Sequence, residues 1–156
     1  MVRESRVMAD LTQFLARVSG ATFRERCQSI CKELRCADQR YDWVGMYWLE
    51  GDSLALGPWS GRHATEHTRI PVGEGVCGAA VREKSTIIVD DVQSDPRYLA
   101  CFLETQSEIV VPIFAAGRII GEFDIDGVVI GAFGEQDKVF LEALAANIGK
   151  EWPGRW

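Results

Sequence analysis

The chemistry this sequence could do rests in its five cysteines and in alternating carboxylates late in the chain. An odd cysteine count without an export signal predicts free thiols in a reducing compartment rather than a disulfide framework. A free thiol is a soft nucleophile, but packed among apolar neighbours it is only a small hydrophobe. Cys27 and Cys31 fall on an apolar stripe with Phe23, Ile30 and Leu34 and read as core, and Cys36, just beyond the stripe, reads as incidental. Cys77 stands between glycines in Gly75-Val76-Cys77-Gly78. Cys101 follows a loop containing Asp95-Pro96 and precedes a strand near Glu108, where its thiol could face a pocket or be half-buried filling.

Period-two alternation over 119–126 puts Ile120, Glu122, Asp124 and Asp126 on one strand face, and Ile119, Gly121, Phe123 and Ile125 on the other. Carboxylates beside a thiol raise its pKa, because a like charge disfavours the thiolate, and their mutual repulsion suits one of them to donate a proton. A solvated strand face is the alternative reading of that pattern. His63, His67, Cys77 and Cys101 lack zinc-finger spacing and form no evident four-ligand set, so neither a metal nor a cofactor is expected.

The elements that must hold these groups follow from periodicity. Val7, Met8, Leu11, Phe14, Leu15 and Val18 predict an amphipathic helix ending at Ser19-Gly20. Thr22 and Glu25 form a capping box that starts a second helix near Phe23. The apolar segment 43–49, the turn Glu50-Gly51-Asp52 and residues 54–56 predict a hairpin. Residues 62–70 are polar and predict an exposed strand or a loop over a site. A short helix over 76–84, a β-branched strand over 86–89 and a loop or single turn over 90–98 lead to Cys101. Strands over 109–114 and 119–126, joined through Ala115-Ala116-Gly117, are expected to pair antiparallel. Val139, Phe140, Ala143, Leu144 and Ile148 predict a C-terminal helix.

With 47% hydrophobic and 26% charged residues, the composition is that of a soluble globular domain, expected to occupy 1–156 as a single unit. A formal charge of -6 repels phosphate backbones and argues against nucleic acid as a partner. Arg3, Glu4, Arg6 and Asp10 interrupt any signal-peptide core. The longest uncharged apolar run, 109–116, is far below the roughly 18 residues of a membrane span, so no membrane is expected and the location is expected to be cytoplasmic.

The blocks Trp43-Val44-Gly45-Met46-Tyr47, Leu56-Gly57-Pro58, Arg69-Ile70-Pro71-Val72-Gly73, Gly75-Val76-Cys77-Gly78, Ala100-Cys101, Ser107-Glu108-Ile109-Val110 and Asp124-Ile125-Asp126 together resemble the GAF superfamily. Within it they resemble the stand-alone free methionine-(R)-sulfoxide reductases. The resemblance implies an α+β fold, with N- and C-terminal helices packed on one face of an antiparallel sheet and a ligand pocket on the other. It implies that Cys101 attacks the sulfoxide sulfur and becomes a sulfenic acid while a carboxylic acid protonates the oxygen. Glu108, Asp124 and Asp126 would divide proton donation and the grip on the substrate ammonium, without an assignment of which does which. Trp43 and Tyr47 would wall the methyl end of the ligand or serve as plain core. Cys77 would resolve Cys101 as a disulfide or be a small packed residue. The implied partners are free methionine sulfoxide or a similar small ligand and a thioredoxin-like reductant.

Two positions depart from the family pattern. Its third cysteine, just before the Arg-Ile-Pro-Val-Gly block, is missing from residues 62–68, and Gly127 stands where a serine is usual. The first departure bears on recycling of the thiol more than on binding. A non-catalytic small-molecule sensor is the alternative function, and helix-mediated homodimerisation is compatible with either.

Overall fold

A computed structural model of the chain describes residues 2–156. Six antiparallel strands form one sheet: β1 (Trp43–Glu50), β2 (Ser53–Ser60), β3 (Arg69–Pro71), β4 (Ile87–Val89), β5 (Ser107–Ala115) and β6 (Arg118–Gly127), ordered β3-β2-β1-β6-β5-β4. The helices are α1 (Val2–Leu15), α2 (Phe23–Ala37), α3 (Gly75–Glu83) and α4 (Glu135–Lys150). The expected α+β arrangement, with the terminal helices sharing one sheet face, is the one observed.

That face buries the main core. Leu11 and Phe14 of α1, Ile30 and Leu34 of α2, and Leu141 and Leu144 of α4 pack on Val44, Met46, Val111, Phe123 and Ile125. Burying such side chains stabilises the fold by about 1.5–3 kcal/mol each. The opposite face carries a second cluster in which Val76, Ala79 and Ala80 of α3 meet Tyr47, Leu54, Ile87 and Val110. Helix α3 can press against the chain after β3 because Gly78 has no Cβ, which would lie 2.5 Å from the Val72 carbonyl oxygen.

The capping box forms as expected: the Thr22 hydroxyl accepts from the Glu25 amide, and the Glu25 carboxylate accepts from the Thr22 amide. Helix α1 stops at Leu15, short of Ser19, because the Arg17 and Val18 amides turn back to the carbonyls of Phe14 and Leu15 in tighter i→i−3 bonds. Val18 still packs on the core. In α4 the buried stripe runs through Leu141, Leu144, Ala145 and Ile148, while Val139 is exposed.

The strict alternation expected along 119–126 fails at its start. Ile113 pairs with Gly121 and Phe114 with Ile119, so Ile120 is an extra residue in the ladder. This bulge turns Ile120 to the terminal-helix core and Ile119 to the α3 side, reversing the predicted sides. From Gly121 onward the alternation holds. Among the described residues no helix is long and apolar enough to cross a membrane.

Candidate active site

The carboxylates are brought together by strand register. Across β1, β6 and β5, Trp43 opposes Asp126 and Asp126 opposes Glu108; Gly45 opposes Asp124 and Asp124 opposes Val110; Tyr47 opposes Glu122. Residues directly opposite in an antiparallel ladder share a face. Glu108, Glu122, Asp124 and Asp126 therefore collect on the α3 side of the sheet, and they are only 4%, 0%, 1% and 2% exposed. No lysine or arginine is among the buried residues described. The alternative expectation of a solvated face is thus overturned for Asp124 and Asp126: α3 and the loops cover it.

Two segments bring sulfur to this face. Helix α3 supplies Cys77, which is buried, and the loop after β4 supplies Cys101, which is partly buried. Cys77, Cys101, Glu108 and Asp124 line one cavity of about 10 Å³, closed by Ile70 and Leu99 among others. The roomier grooves lie elsewhere: one of about 360 Å³ between the end of β5 and α4, and one of about 400 Å³ beside α1, α2 and α4. Neither is lined by a thiol.

Burial and like charge act together at this site. Burial pushes the Cys101 thiol up, and Asp124, Asp126 and Glu108 push it further, against a hydrogen bond with the Thr65 side chain that favours the thiolate. Burial raises Cys77 as well, followed by Asp124, Glu122 and Glu108. Glu108 is held well above the usual carboxylate range by burial, then by its neighbours Asp124 and Asp126. Burial also raises Asp124, with Glu108, Cys77 and His67 acting in the opposite direction. Asp126 and Glu122 are raised by burial first. Oε2 of Glu108, Oδ1 of Asp124 and both carboxyl oxygens of Asp126 and Glu122 are buried without a geometrically formed hydrogen bond. The site thus combines thiols and carboxyls whose charged forms burial disfavours with carboxyl oxygens that have no hydrogen-bond partner.

Short hydrogen bonds hold the Cys101 loop. The Asp95 carboxylate accepts from the Arg97 guanidinium at 2.7 Å and from the Arg97 amide at 2.9 Å. His67 Nε2 donates to the Ala100 carbonyl at 2.9 Å, the Tyr47 hydroxyl donates to the His67 carbonyl at 2.8 Å, and the His67 amide donates to the Thr65 hydroxyl at 3.1 Å. The stretch that lacks the third cysteine therefore lies against the loop carrying Cys101.

Of the residues singled out from sequence, Cys77, Cys101, Glu108 and Asp124 meet at the cavity. Asp126 stands beside Glu108 but does not line it. Tyr47 is fully buried behind, and Trp43 stacks on Trp59 at 6.2 Å and lies 5.8 Å from Phe102, on the flank of the thiol loop. Sequence reasoning left Glu122 unassigned although period two had put it on the carboxylate face. It missed Thr65, His67 and Phe102, which come from irregular loops without periodicity. Neither histidine joins the thiols and carboxylates, yet Cys77, Glu108 and Asp124 each offer one donor atom, all within 4.8 Å of one another.

The family model described as GAF domain matches residues 20–150. The free methionine-R-sulfoxide reductase of Escherichia coli is 38% identical over 146 residues, spanning 92% of this chain and 81% of that protein. A solved structure of a type II free methionine-R-sulfoxide reductase from Thermoplasma acidophilum is 41% identical, with a TM-score of 0.80 over 82% of this chain and 90% of that one. The X-ray structure of the Neisseria meningitidis free methionine-R-sulfoxide reductase in complex with its substrate is 36% identical, with a TM-score of 0.82 over 90% of this chain and 84% of that one.

Proposed function

Since the chain belongs to the GAF-domain family, and within it to the free methionine-R-sulfoxide reductases, we propose that it reduces free L-methionine-(R)-sulfoxide to methionine with Cys101 as nucleophile. The observation that carries this reading is the meeting of Cys101, Cys77, Glu108 and Asp124 around one cavity. An isolated Cys101 would have suited the ligand-sensor alternative better.

Cys101 Sγ bonds to the sulfoxide sulfur as its own proton leaves, and a neutral carboxyl protonates the sulfoxide oxygen. The oxygen then passes to Cys101 as the bond between the sulfurs breaks, releasing methionine and leaving a sulfenic acid. The substrate sulfur gains two electrons and the Cys101 sulfur loses two. Glu108 suits proton donation because burial and its acidic neighbours keep it protonated. An ionised neighbour among Asp124 and Asp126 suits the substrate ammonium, which would satisfy carboxyl oxygens that lack partners.

Regeneration then falls to Cys77. Its sulfur attacks the Cys101 sulfenic acid, water departs, and the resulting disulfide is reduced by a thioredoxin-like dithiol, itself oxidised to a disulfide. Trp43, with Phe102 beside it, flanks the entry. A cavity of about 10 Å³ holds roughly one water, so admitting an amino acid requires its lining to part, and Leu99 and Cys101 are the lining residues carried on a loop.

Reduced protein with excess dithiol is expected to convert the free (R)-sulfoxide over many turnovers and to leave the (S)-epimer untouched, as followed by chromatography of the amino acids. Absence of turnover on the (R)-epimer sinks the proposal.

A further inference from the structure

The thiols and carboxylates of the cavity also form a donor set of another kind. Cys77, Glu108 and Asp124 come from α3, β5 and β6, and their donor atoms lie within 4.8 Å of one another. Cys101 lines the same cavity and supplies a fourth donor from its loop. Glu108 and Asp124 are each over nine-tenths buried, and each has a carboxyl oxygen without a hydrogen-bond partner. No buried cation offsets the acidic residues around them among the described residues.

We propose that this cavity is a binding site for one Zn²⁺, held by Cys77, Cys101, Asp124 and Glu108. Two sulfurs and two carboxylate oxygens are a donor set that tetrahedral Zn²⁺ accepts, at bond lengths of about 2.3 Å to sulfur and 2.0–2.2 Å to oxygen. Such bonds put ligand atoms about 3.4–3.8 Å apart, so the Cys77, Glu108 and Asp124 donors, now within 4.8 Å, need to close by about 1 Å through side-chain rotation, while Cys101, whose sulfur stands outside that group and is directed at the Leu99 carbonyl, must turn inward from its loop. A volume of about 10 Å³ is large enough for an ion and too small for the amino-acid substrate. Zinc replaces the thiol protons and releases them to solvent, so binding strengthens as pH rises. The ligands are separated widely in sequence, which is why motif spacing gave no hint of them.

The consequence for activity rests on the reductase reading: the ion occupies Cys101 and Cys77, so metal and sulfoxide exclude each other and zinc holds the protein in a reduced, inactive form. Chelation restores it.

The test is an anaerobic titration of the reduced, chelator-treated protein with Co²⁺, a spectroscopic substitute for zinc. The expected result is a thiolate-to-cobalt charge-transfer band that saturates at one equivalent and is displaced by Zn²⁺. Cys77→Ser loses the band, Cys36→Ser keeps it, and Asp124→Asn, a near-isosteric change, weakens binding at least about tenfold while its metal-free unfolding profile remains cooperative. No band, or a band that persists in Cys77→Ser, overturns the site. Parallel assays separate the two proposals: a cobalt band without sulfoxide turnover by metal-free protein leaves the metal site standing and removes the reductase, and turnover without a band does the reverse.

Discussion

Two pairs of cysteines lie on opposite faces of one sheet in unlike company, three of the four buried and Cys101 partly so. Cys27 and Cys31 sit in α2 against the apolar core, where burial and the Glu151 charge push Cys27 up to about 12 and burial raises Cys31 well above the ordinary thiol value. Cys77 and Cys101 are raised by burial too, but the groups that follow are Asp124, Asp126, Glu122 and Glu108. A raised thiol pKa therefore does not distinguish the two pairs in this molecule. What differs is their surroundings: buried carboxyls stand beside Cys77 and Cys101, and Cys101 lies on a loop at the edge of the face. Cys31 has only the Pro58 carbonyl for its thiol hydrogen, deep in the core, whereas Cys101 rides on a loop.

The sharpest way to break this comparison is to remove each pair's sulfur in turn. Cys101→Ser should lower sulfoxide turnover by roughly a thousandfold or more, since hydroxyl oxygen is a poor substitute for a soft nucleophile. Cys31→Ala should leave kcat unchanged, as measured in steady state. If Cys31→Ala loses turnover while remaining folded, the division between the faces is wrong. Cys77→Ser should do something different from either: one equivalent of methionine forms per protein in a rapid-quench experiment, and catalysis with a thioredoxin-like reductant then stalls because the sulfenic acid has no internal partner. Full steady-state turnover in Cys77→Ser would deny it the resolving role.

A smaller effect separates the pairs by stability. Cys31 is 0% exposed, so Cys31→Ala leaves a void in the packed face and should cost about 1–2 kcal/mol, read from chemical denaturation. Cys77→Ala removes a thiol from among buried carboxyls, where the partnerless acceptors of Glu122 and Asp124 already carry the cost of burial. Its destabilisation should be the lesser of the two.

The difference between the faces was only half legible in the sequence. The apolar face announced itself through helical stripes and the Thr22–Glu25 cap, because one amphipathic helix packing on a sheet leaves its period in the chain. The carboxylate face announced Glu122, Asp124 and Asp126 by period two, and their burial was left open because the cover comes from α3 and two irregular loops. Ile119 and Ile120 were placed on the wrong sides because one bulge residue inverts a period of two without any compositional mark. Thr65 and His67 could not be found, since their role is defined by the loop they touch and not by their neighbours in sequence.

The smallest expected effect uses acid to test which boundary opens. Each side has a carboxyl held below its ordinary range: the exposed Glu25 by the backbone amides of Thr22 and Ala21, and the partly buried Asp95 by the Arg97 guanidinium. A depressed folded-state pKa contributes stability that is present above the unfolded value, about 3.9–4.3 for these residue types, and is lost as pH falls through the lower folded value. Both contacts should therefore be intact at pH 6 and fail below about pH 4. Their consequences differ by position. Losing the Glu25 cap frays the start of α2 at Phe23, four residues before Cys27 in a packed core and eight before Cys31, and dithiodipyridine, which labels thiols in acid, should still find Cys31 protected. Losing the Asp95–Arg97 pair frees the loop that ends at Cys101, whose labelling should rise severalfold across the same pH window. Arg97→Gln should reproduce that rise at pH 6 without acid. Equal gains at Cys31 and Cys101 would mean that acid loosens the whole sheet and that the two faces are not independently gated.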